Sequence, residues 1–348
     1  MFALALSDDT GGRNREVSAM GARHIFFVIR YSVLVAGMDS WRLASQDLET
    51  YRRKLFDERR LEERVGLFER LTLPSIMNQI FDENVSVSLV VITSAELPAN
   101  ASRALDEALT KRPAWLGVDV VRAEVDGPGL GALTQSVIDS RVKDDAGGSE
   151  TIYATVRLDD DDVLSCGYVA ALARYMTPTL AGMIVTFPKG YVGTLSGETG
   201  RFNALRHYYA PKIALGLAHI GKSAGGYPTT QRRNIFECGR HTEVDRVLPV
   251  ISDASFDAFI RTFHGSNDSG AASNESRWIQ ELPVASAGAP DQFPHGLVDR
   301  GAVGVPDEEN GQRLRYKECE RSFARLRVCQ KEKRRLKRKR KARGWTPT

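Results

Sequence analysis

The chain alternates short, solidly apolar runs with stretches whose apolar residues recur every three or four positions, and this alternation predicts its architecture. Residues 24–29 form a compact apolar run flanked by polar positions, the pattern of a buried strand, and the run leaves through Arg30, Tyr31 and Ser32. Leu61, Val65, Phe68 and Leu71 then repeat at helical spacing, a stripe that faces a core rather than a cofactor. Pro74 suits the first turn of a further helix over residues 75–80. Residues 85–93, rich in Val, predict a second strand, 101–109 a helix, 117–123 a third strand, 130–142 a helix and 151–156 a fourth strand. Residues 36–58 read as an irregular, partly helical excursion. Repeated alternation of strand and helix predicts an α/β fold, a mostly parallel Rossmann-like sheet with helices on both faces. No G-x-G-x-x-G follows the first strand, which disfavours a dinucleotide-binding fold.

The fourth strand runs through Arg157 and Leu158 straight into Asp159, Asp160, Asp161 and Asp162. Like charges this close repel, and taking even one carboxylate out of water is costly. Most acidic runs are solvated surface. This one, however, follows a buried-type strand and precedes Val163, Leu164 and a helical pattern over residues 166–176. In open α/β sheets, ligands sit beyond the carboxyl ends of the strands. The natural counter-charge is Mg²⁺ or Mn²⁺, which prefers hard oxygen ligands and is completed by substrate phosphates. The stretch therefore reads as a strand-end metal site that meets a diphosphate. At the end of the first strand, Arg30 is suited to phosphate and Tyr31 to stacking on a base. A surface arginine and a packing tyrosine fit those two positions equally well.

After residue 166 the alternation weakens. Residues 182–187 and 190–194 predict a hairpin about Pro188 and Lys189, and residues 217–228 a mobile loop. An apolar element over residues 258–263 ends in a second stretch dense in chemistry, with Arg261, His264, Asn267 and Asp268 around Gly265. Residues 271–310 are rich in Ser, Ala, Gly and Pro and read as a linker, and residues 1–22 as disordered.

Composition adds less. Apolar content of 42% and charged content of 26% are ordinary globular usage. Cys166, Cys238, Cys319 and Cys329 show no C-x-x-C spacing, so no zinc or redox motif is indicated. No apolar run is long enough to span a bilayer, and a cytoplasmic location is expected. The net charge of +4 hides an asymmetry: residues 313–343 carry sixteen Lys and Arg against three Glu, and the remainder carries 32 against 41 acidic residues. The basic character belongs to the tail.

A parallel α/β half that ends in an Asp-x-Asp strand and is followed by a mixed half resembles the GT-A glycosyltransferases. Several stretches resemble more closely a bacterial rhamnosyl transferase family: Arg30-Tyr31-Ser32, the segment from Leu67 and Phe68 through Leu73, Pro74, Ser75 and Ile76 to Gln79, the run Arg157 to Asp162, and Ile260, Arg261, His264, Gly265 and Asn267. The resemblance covers residues 24–270 and implies a glycosyltransferase domain over 23–270, with a nucleotide-sugar half (23–165) and an acceptor half (166–270). The implied activity is metal-assisted transfer of a sugar, rhamnose by the family label, from a nucleotide-sugar donor to a hydroxyl of a glycan or lipid-linked acceptor, with inversion. Asp159 and Asp161 match the apolar-Asp-x-Asp register for the metal, with Asp160 and Asp162 the alternative register. His264 holds the place of a late histidine near the diphosphate and is expected as a third ligand. Arg30, Tyr31, Arg157, Asp160, Arg240, His241, Arg261 and Asn267 are expected to line the substrate site. Asp245 and Asp253, with Asp162 behind them, are the candidates for the base.

Residues 311–348 form a basic tail, compatible with helix and too highly charged to pack as core. Clustered Lys and Arg suit an anionic membrane surface, at about 1 kcal/mol each. The tail lacks interleaved aromatics, so no specific nucleic-acid partner is expected. The competing reading is a polyanion-binding protein whose α/β domain is not catalytic.

Overall fold

The computed structural model describes residues 22–34, 48–146, 150–224, 227–264, 279–299 and 301–303. Asn267, the expected disorder up to residue 21 and the basic tail lie outside these residues.

Four parallel strands build the first half: β1 (Ala22–Tyr31), β2 (Val85–Ser94), β3 (Leu116–Ala123) and β4 (Glu150–Leu158). Between β1 and β2 lie α1 (Leu48–Leu55), α2 (Glu58–Leu67), a single π turn (Phe68–Thr72) and α3 (Leu73–Met77). The π turn falls just before Pro74, whose missing N–H interrupts the helical ladder. α4 (Ala99–Thr110) precedes β3, and α5 (Leu130–Ala146) precedes β4. After β4 come β5 (Val163–Leu164), α6 (Tyr168–Ala173), β6 (Ile184–Thr186), β7 (Lys189–Leu195), β8 (Phe202–Tyr209), β9 (Leu217–Ala224), β10 (Tyr227–Pro228), β11 (Val250–Ser252) and β12 (Phe259–Phe263).

The main sheet has the order β11-β6-β9-β4-β1-β2-β3, with β10 paired to β9. β9 is antiparallel to both β4 and β6, so the sheet is mostly parallel, as the pattern predicts. Strand alternation divides its two faces. Ile25, Phe27 and Ile29 of β1 pack with Ala154 and Val156 of β4 beneath α2, α3 and α4. Phe26 and Val28 pack with Tyr153 against Ile138 and Val142 of α5. Each fully buried side chain of this kind contributes about 2 kcal/mol of transfer free energy. The chain leaves β1 toward β2 and β3 on one side, and β4 lies on the other. The seam between β1 and β4 is therefore where strand order reverses, the place where α/β sheets bind ligands.

Three expectations are revised. Residues 182–194 are not a hairpin: β6 joins the main sheet, whereas β7 joins a second sheet of order β5-β12-β7-β8. Pro188 marks the crossover between sheets. Residues 217–224 are not a loop but β9, whose Ala218, His219 and Ile220 are fully buried. Its polar look arises because small and polar residues are needed there: a Cβ on Gly221 would lie 2.2 Å from the Tyr153 ring. Within 271–310, residues 279–299 and 301–303 pack as a strap, with Ile279, Leu282, Ala285 and Phe293 buried against the second sheet. The Ser/Ala/Gly composition concealed these widely spaced anchors.

Candidate active site

The four aspartates form the turn between β4 of the main sheet and β5 of the second sheet. β1 and β4 pair in parallel, with Ile29 opposite Leu158, so Arg30 and Tyr31 end β1 beside Asp159 and Asp160. Side-chain alternation then separates the two carboxylates. Asp159 falls on the α5 face, where Arg30 Nη2 donates to its Oδ1 at 2.8 Å. Asp160 falls on the α2 face, where Arg64 reaches it from below. Arg64 Nε donates to Asp160 Oδ2 at 3.0 Å and Nη2 donates to Oδ1. The third donor, Nη1, goes to Asp161 Oδ2 at 2.9 Å.

Arg64 was not among the expected site residues. Its signal was present in the sequence, since Leu61, Arg64 and Leu67 follow one another at three-residue spacing on the buried side of α2. A lone arginine within an apolar stripe requires a buried anion.

Asp161 and Asp162 complete the turn. Asp161 Oδ2 also meets His264 Nε2 at 3.0 Å, and Nδ1 of the same ring faces Glu63 Oε1 at 3.8 Å. Asp162 Oδ1 accepts from the Thr262 N–H of β12 at 3.0 Å, and its carbonyl accepts from Thr72 Oγ1 at 2.8 Å. Thus the π turn and β12 clamp the acidic turn from two sides.

The environments push the carboxyls apart. Burial alone would raise Asp159, but Arg30 and Arg157 outweigh it and hold the group well below the usual carboxylate range. Burial pushes Asp160 up to about 6, with Asp161 adding, against the pull of Arg64. Burial also acts upward on Asp161, where Arg64 and His264 prevail and lower it. Asp162 is raised well above the ordinary value by burial and by Asp161 and Asp159. Only Asp159 is substantially accessible, with 36% of its side chain exposed.

Around Asp159 the other expected cations gather. Arg157, two residues earlier on the same face of β4, lies close enough to be lowered to about 10 by burial and by Arg30. Its side chain makes no hydrogen bond or ion pair among the described residues, and its buried Nε is unpartnered. Arg30 also lies over the Phe236 ring, 6.0 Å from its centroid. His241 Nδ1 donates to the Lys212 carbonyl at 2.5 Å, which fixes the proton on Nδ1 in the neutral ring. Burial lowers His241, and Arg157 and Arg261 lower it further, against the hydrogen bond to the Lys212 carbonyl and the charge of Asp159. Arg261 donates to the Tyr208 hydroxyl at 3.5 Å and acts electrostatically on Asp162.

Three expected residues are placed elsewhere, and a fourth is exposed. Tyr31 is fully buried, its ring edge-on to Phe68 at 6.2 Å, and cannot stack on a ligand base. Asp245 pairs with Lys212 at 2.7 Å on the surface. Asp253, at the end of β11, takes the Tyr175 hydroxyl and the Ser255 N–H, each at 2.8 Å. Arg240 is exposed to solvent.

The donor atoms test the expected metal. A hydrogen bond between Asp161 and His264 Nε2 requires a proton on that nitrogen, so in this arrangement His264 is a hydrogen-bond donor to Asp161. Asp159 gives only Oδ1 to Arg30, and Asp161 only Oδ2 to Arg64 and His264. The remaining oxygens are hard donors that fit Mg²⁺ or Mn²⁺ completed by substrate phosphates. Among the described residues no group of three or more His, Cys, Asp and Glu has the arrangement of a self-sufficient metal site.

Comparison with known proteins gives two kinds of finding. Among solved structures, the chain is similar to S. aureus TarS, with 11% identity and a TM-score of 0.32, over 70% of this chain and 37% of that one. It therefore spans little more than a third of TarS. It is also similar to a "putative nucleotide-diphospho-sugar transferase" from Desulfovibrio desulfuricans G20, with 10% identity and a TM-score of 0.25, over 70% of this chain and 81% of that one. No curated protein matches it. No helix among the described residues is long and apolar enough to cross a membrane. Residues 24–276, most of the chain and all but the first two residues of its sheets, match the family model described as "Putative rhamnosyl transferase", and the chain belongs to this family of sugar transferases.

Proposed function

We propose that the protein transfers a sugar from a nucleoside-diphosphate donor to a hydroxyl of a glycan or lipid-linked acceptor. The observation that supports this reading most is Arg157. A largely buried guanidinium without a side-chain partner, beside a second guanidinium and sharing one carboxylate with it, carries uncompensated positive charge. Buried charge of this kind is costly unless a ligand supplies the anion. A diphosphate at the β1–β4 seam, flanked by Arg30, Arg157 and Arg261, does so.

Asp159 and Asp161 would hold a divalent ion through their remaining oxygens. That ion would supply further positive charge to the departing nucleoside diphosphate. The chain's own residues carry the rest of the chemistry. Arg157 and Arg30 bind the diphosphate, and Arg261 stabilises the charge that develops on it. Of the three expected bases, Asp162 alone lies in the site. It faces β12, on the acceptor side of the turn, and takes the proton of the acceptor hydroxyl. One carboxylate acting opposite the leaving group corresponds to inversion. The net positive tail is suited to hold the enzyme near an anionic membrane that carries its acceptor. The polyanion-binding alternative gives no role to an arginine-lined site inside the fold.

Calorimetry of UDP, GDP and dTDP, with and without Mn²⁺, tests the reading on the wild type and on Asp159→Ala/Asp161→Ala. Binding of one nucleotide that depends on Mn²⁺ and disappears in the double variant is expected. A folded wild type that binds none of the three would refute it.

A further inference from the structure

Four adjacent aspartates would ordinarily chelate a divalent ion on their own. The arrangement beneath them prevents this. Arg64 occupies both oxygens of Asp160, which has no exposed surface, and one oxygen of Asp161. Its guanidinium reaches the turn from the buried side of α2, opposite the face on which Arg30 and Asp159 lie. The preceding residue of the same helix, Glu63, faces His264, whose other nitrogen bonds to the same Asp161 oxygen. One helical turn of α2 thus controls two of the four carboxylates and the histidine above them.

We propose that Arg64 is a positioning residue, a built-in cation that withholds Asp160 and half of Asp161 from metal. The ion then binds weakly to the protein alone and firmly only when a diphosphate supplies its remaining ligands. This deepens the donor-site reading and rests on it only for the second half of the statement. The physical reason is competition. A fixed guanidinium fork and a divalent ion require the same carboxylate oxygens, and the fork is covalently tethered within hydrogen-bond distance. An ammonium at the same place is a point charge and lacks the rigid fork that grips one carboxylate with two donors while a third reaches its neighbour.

The test is titration of the ligand-free full chain with Mn²⁺, followed by the free-Mn²⁺ paramagnetic resonance signal and repeated with UDP, GDP and dTDP. Arg64→Gln is expected to bind Mn²⁺ alone about tenfold or more tightly than the wild type, because one positive charge leaves, both Asp160 oxygens are released and Asp161 Oδ2 keeps only its contact with His264. Arg64→Gln with unchanged Mn²⁺ affinity and an intact circular dichroism spectrum overturns the proposal, even if the wild type binds a nucleotide. If the wild type binds none of the nucleotides while Arg64→Gln gains affinity for Mn²⁺, the role of Arg64 stands and the donor reading falls. Should Arg64→Gln fail to fold, two gentler variants decide. Arg64→Lys is expected to gain about threefold in Mn²⁺ affinity. Asp160→Asn is expected to lose less Mn²⁺ affinity than Asp159→Asn, since it removes a charge but no oxygen that is available to the ion. A loss in Asp160→Asn that equals the loss in Asp159→Asn sinks the idea.

Discussion

Arg30 Nη2 and Asp159 Oδ1 meet at 2.8 Å across the β1–β4 seam, joining the end of the first strand to the start of the acidic turn. The pair is accessible only from the Asp159 side, since Arg30 is buried. Arg30→Ala removes one cation from the proposed diphosphate site and frees Asp159. Nucleoside-diphosphate affinity in Mn²⁺ is expected to fall about tenfold, the scale of one charge-assisted hydrogen bond. Calorimetry that finds wild-type affinity in a folded Arg30→Ala would contradict the placement of the diphosphate at this seam.

Arg157 predicts an unusual combination of stability and function. Its guanidinium is desolvated, lowered by Arg30 and unpartnered among the described residues. Arg157→Met keeps the buried chain volume and removes the charge. Thermal stability of the ligand-free protein is expected to be unchanged or higher, while nucleotide binding falls by more than about tenfold. A variant that is destabilised and still binds would show that the arginine serves the fold instead.

The three base candidates separate by position. Asp245 is tied to Lys212, and Asp253 to Tyr175 and the Ser255 N–H. Asp245→Asn and Asp253→Asn are expected to leave kcat within about threefold, whereas Asp162→Asn is expected to lower it by about a hundredfold or more. Turnover of the cognate donor, once calorimetry identifies its nucleotide, measures all three. A hundredfold loss in Asp253→Asn with normal activity in Asp162→Asn would reverse the assignment.

His219 makes stability pH-dependent. It is fully buried in β9, neither ring nitrogen has a hydrogen-bond partner among the described residues, and burial lowers it to about 4. In the unfolded chain a histidine titrates near 6.5. Between those values the unfolded state binds the additional proton, so stability falls as pH drops from about 6.5 toward 4, by at most about 3 kcal/mol. Asp160, raised to about 6, acts in the opposite direction below that pH, because the folded state takes up its proton first. The contribution of His219 is therefore read as a difference. Urea unfolding of the wild type and His219→Leu is expected to show a smaller loss between pH 7 and pH 4.5 in the variant. Equal losses would exclude His219 as the cause.

Gly221 lies opposite Tyr153 in the β4–β9 pair, and the tyrosine hydroxyl donates to the Arg233 carbonyl at 2.8 Å. A Cβ at Gly221 would displace that ring. Gly221→Ala is expected to cost about 1–3 kcal/mol in denaturant unfolding. A neutral result would mean that the ring has space to yield.

The sequence by itself determined the first half of the fold. The strand ending at Tyr31 carries an unbroken apolar run over residues 25–29 and the strand ending at Leu158 is rich in aromatic and β-branched residues, and strands buried on both faces read that way whatever surrounds them. Helical spacing from Leu61 to Leu71 likewise announced the helix that covers them. The sequence also singled out the aspartate run, because four adjacent carboxylates after a buried strand have few physical explanations. It did not reveal β9 or the strap over residues 279–303. Their polar, Gly- and Ala-rich residues are dictated by neighbours distant in the chain, such as Tyr153 over Gly221, and leave no local period.

Tertiary structure alone decided how the four aspartates differ. Alternation places neighbouring residues of a strand on opposite faces, but which cation waits on each face depends on packing. Arg30 arrived from a parallel neighbour and Arg64 from a helix beneath the sheet, 129 and 96 residues from their partners. The same long-range packing buried Tyr31, turned His264 toward Asp161, and left Asp245 and Asp253 with partners outside the site. Residue types and their order specify that an anion-rich turn exists. Only the distances and burial of side chains remote in the chain specify which carboxylate is open to solvent and which is already paired.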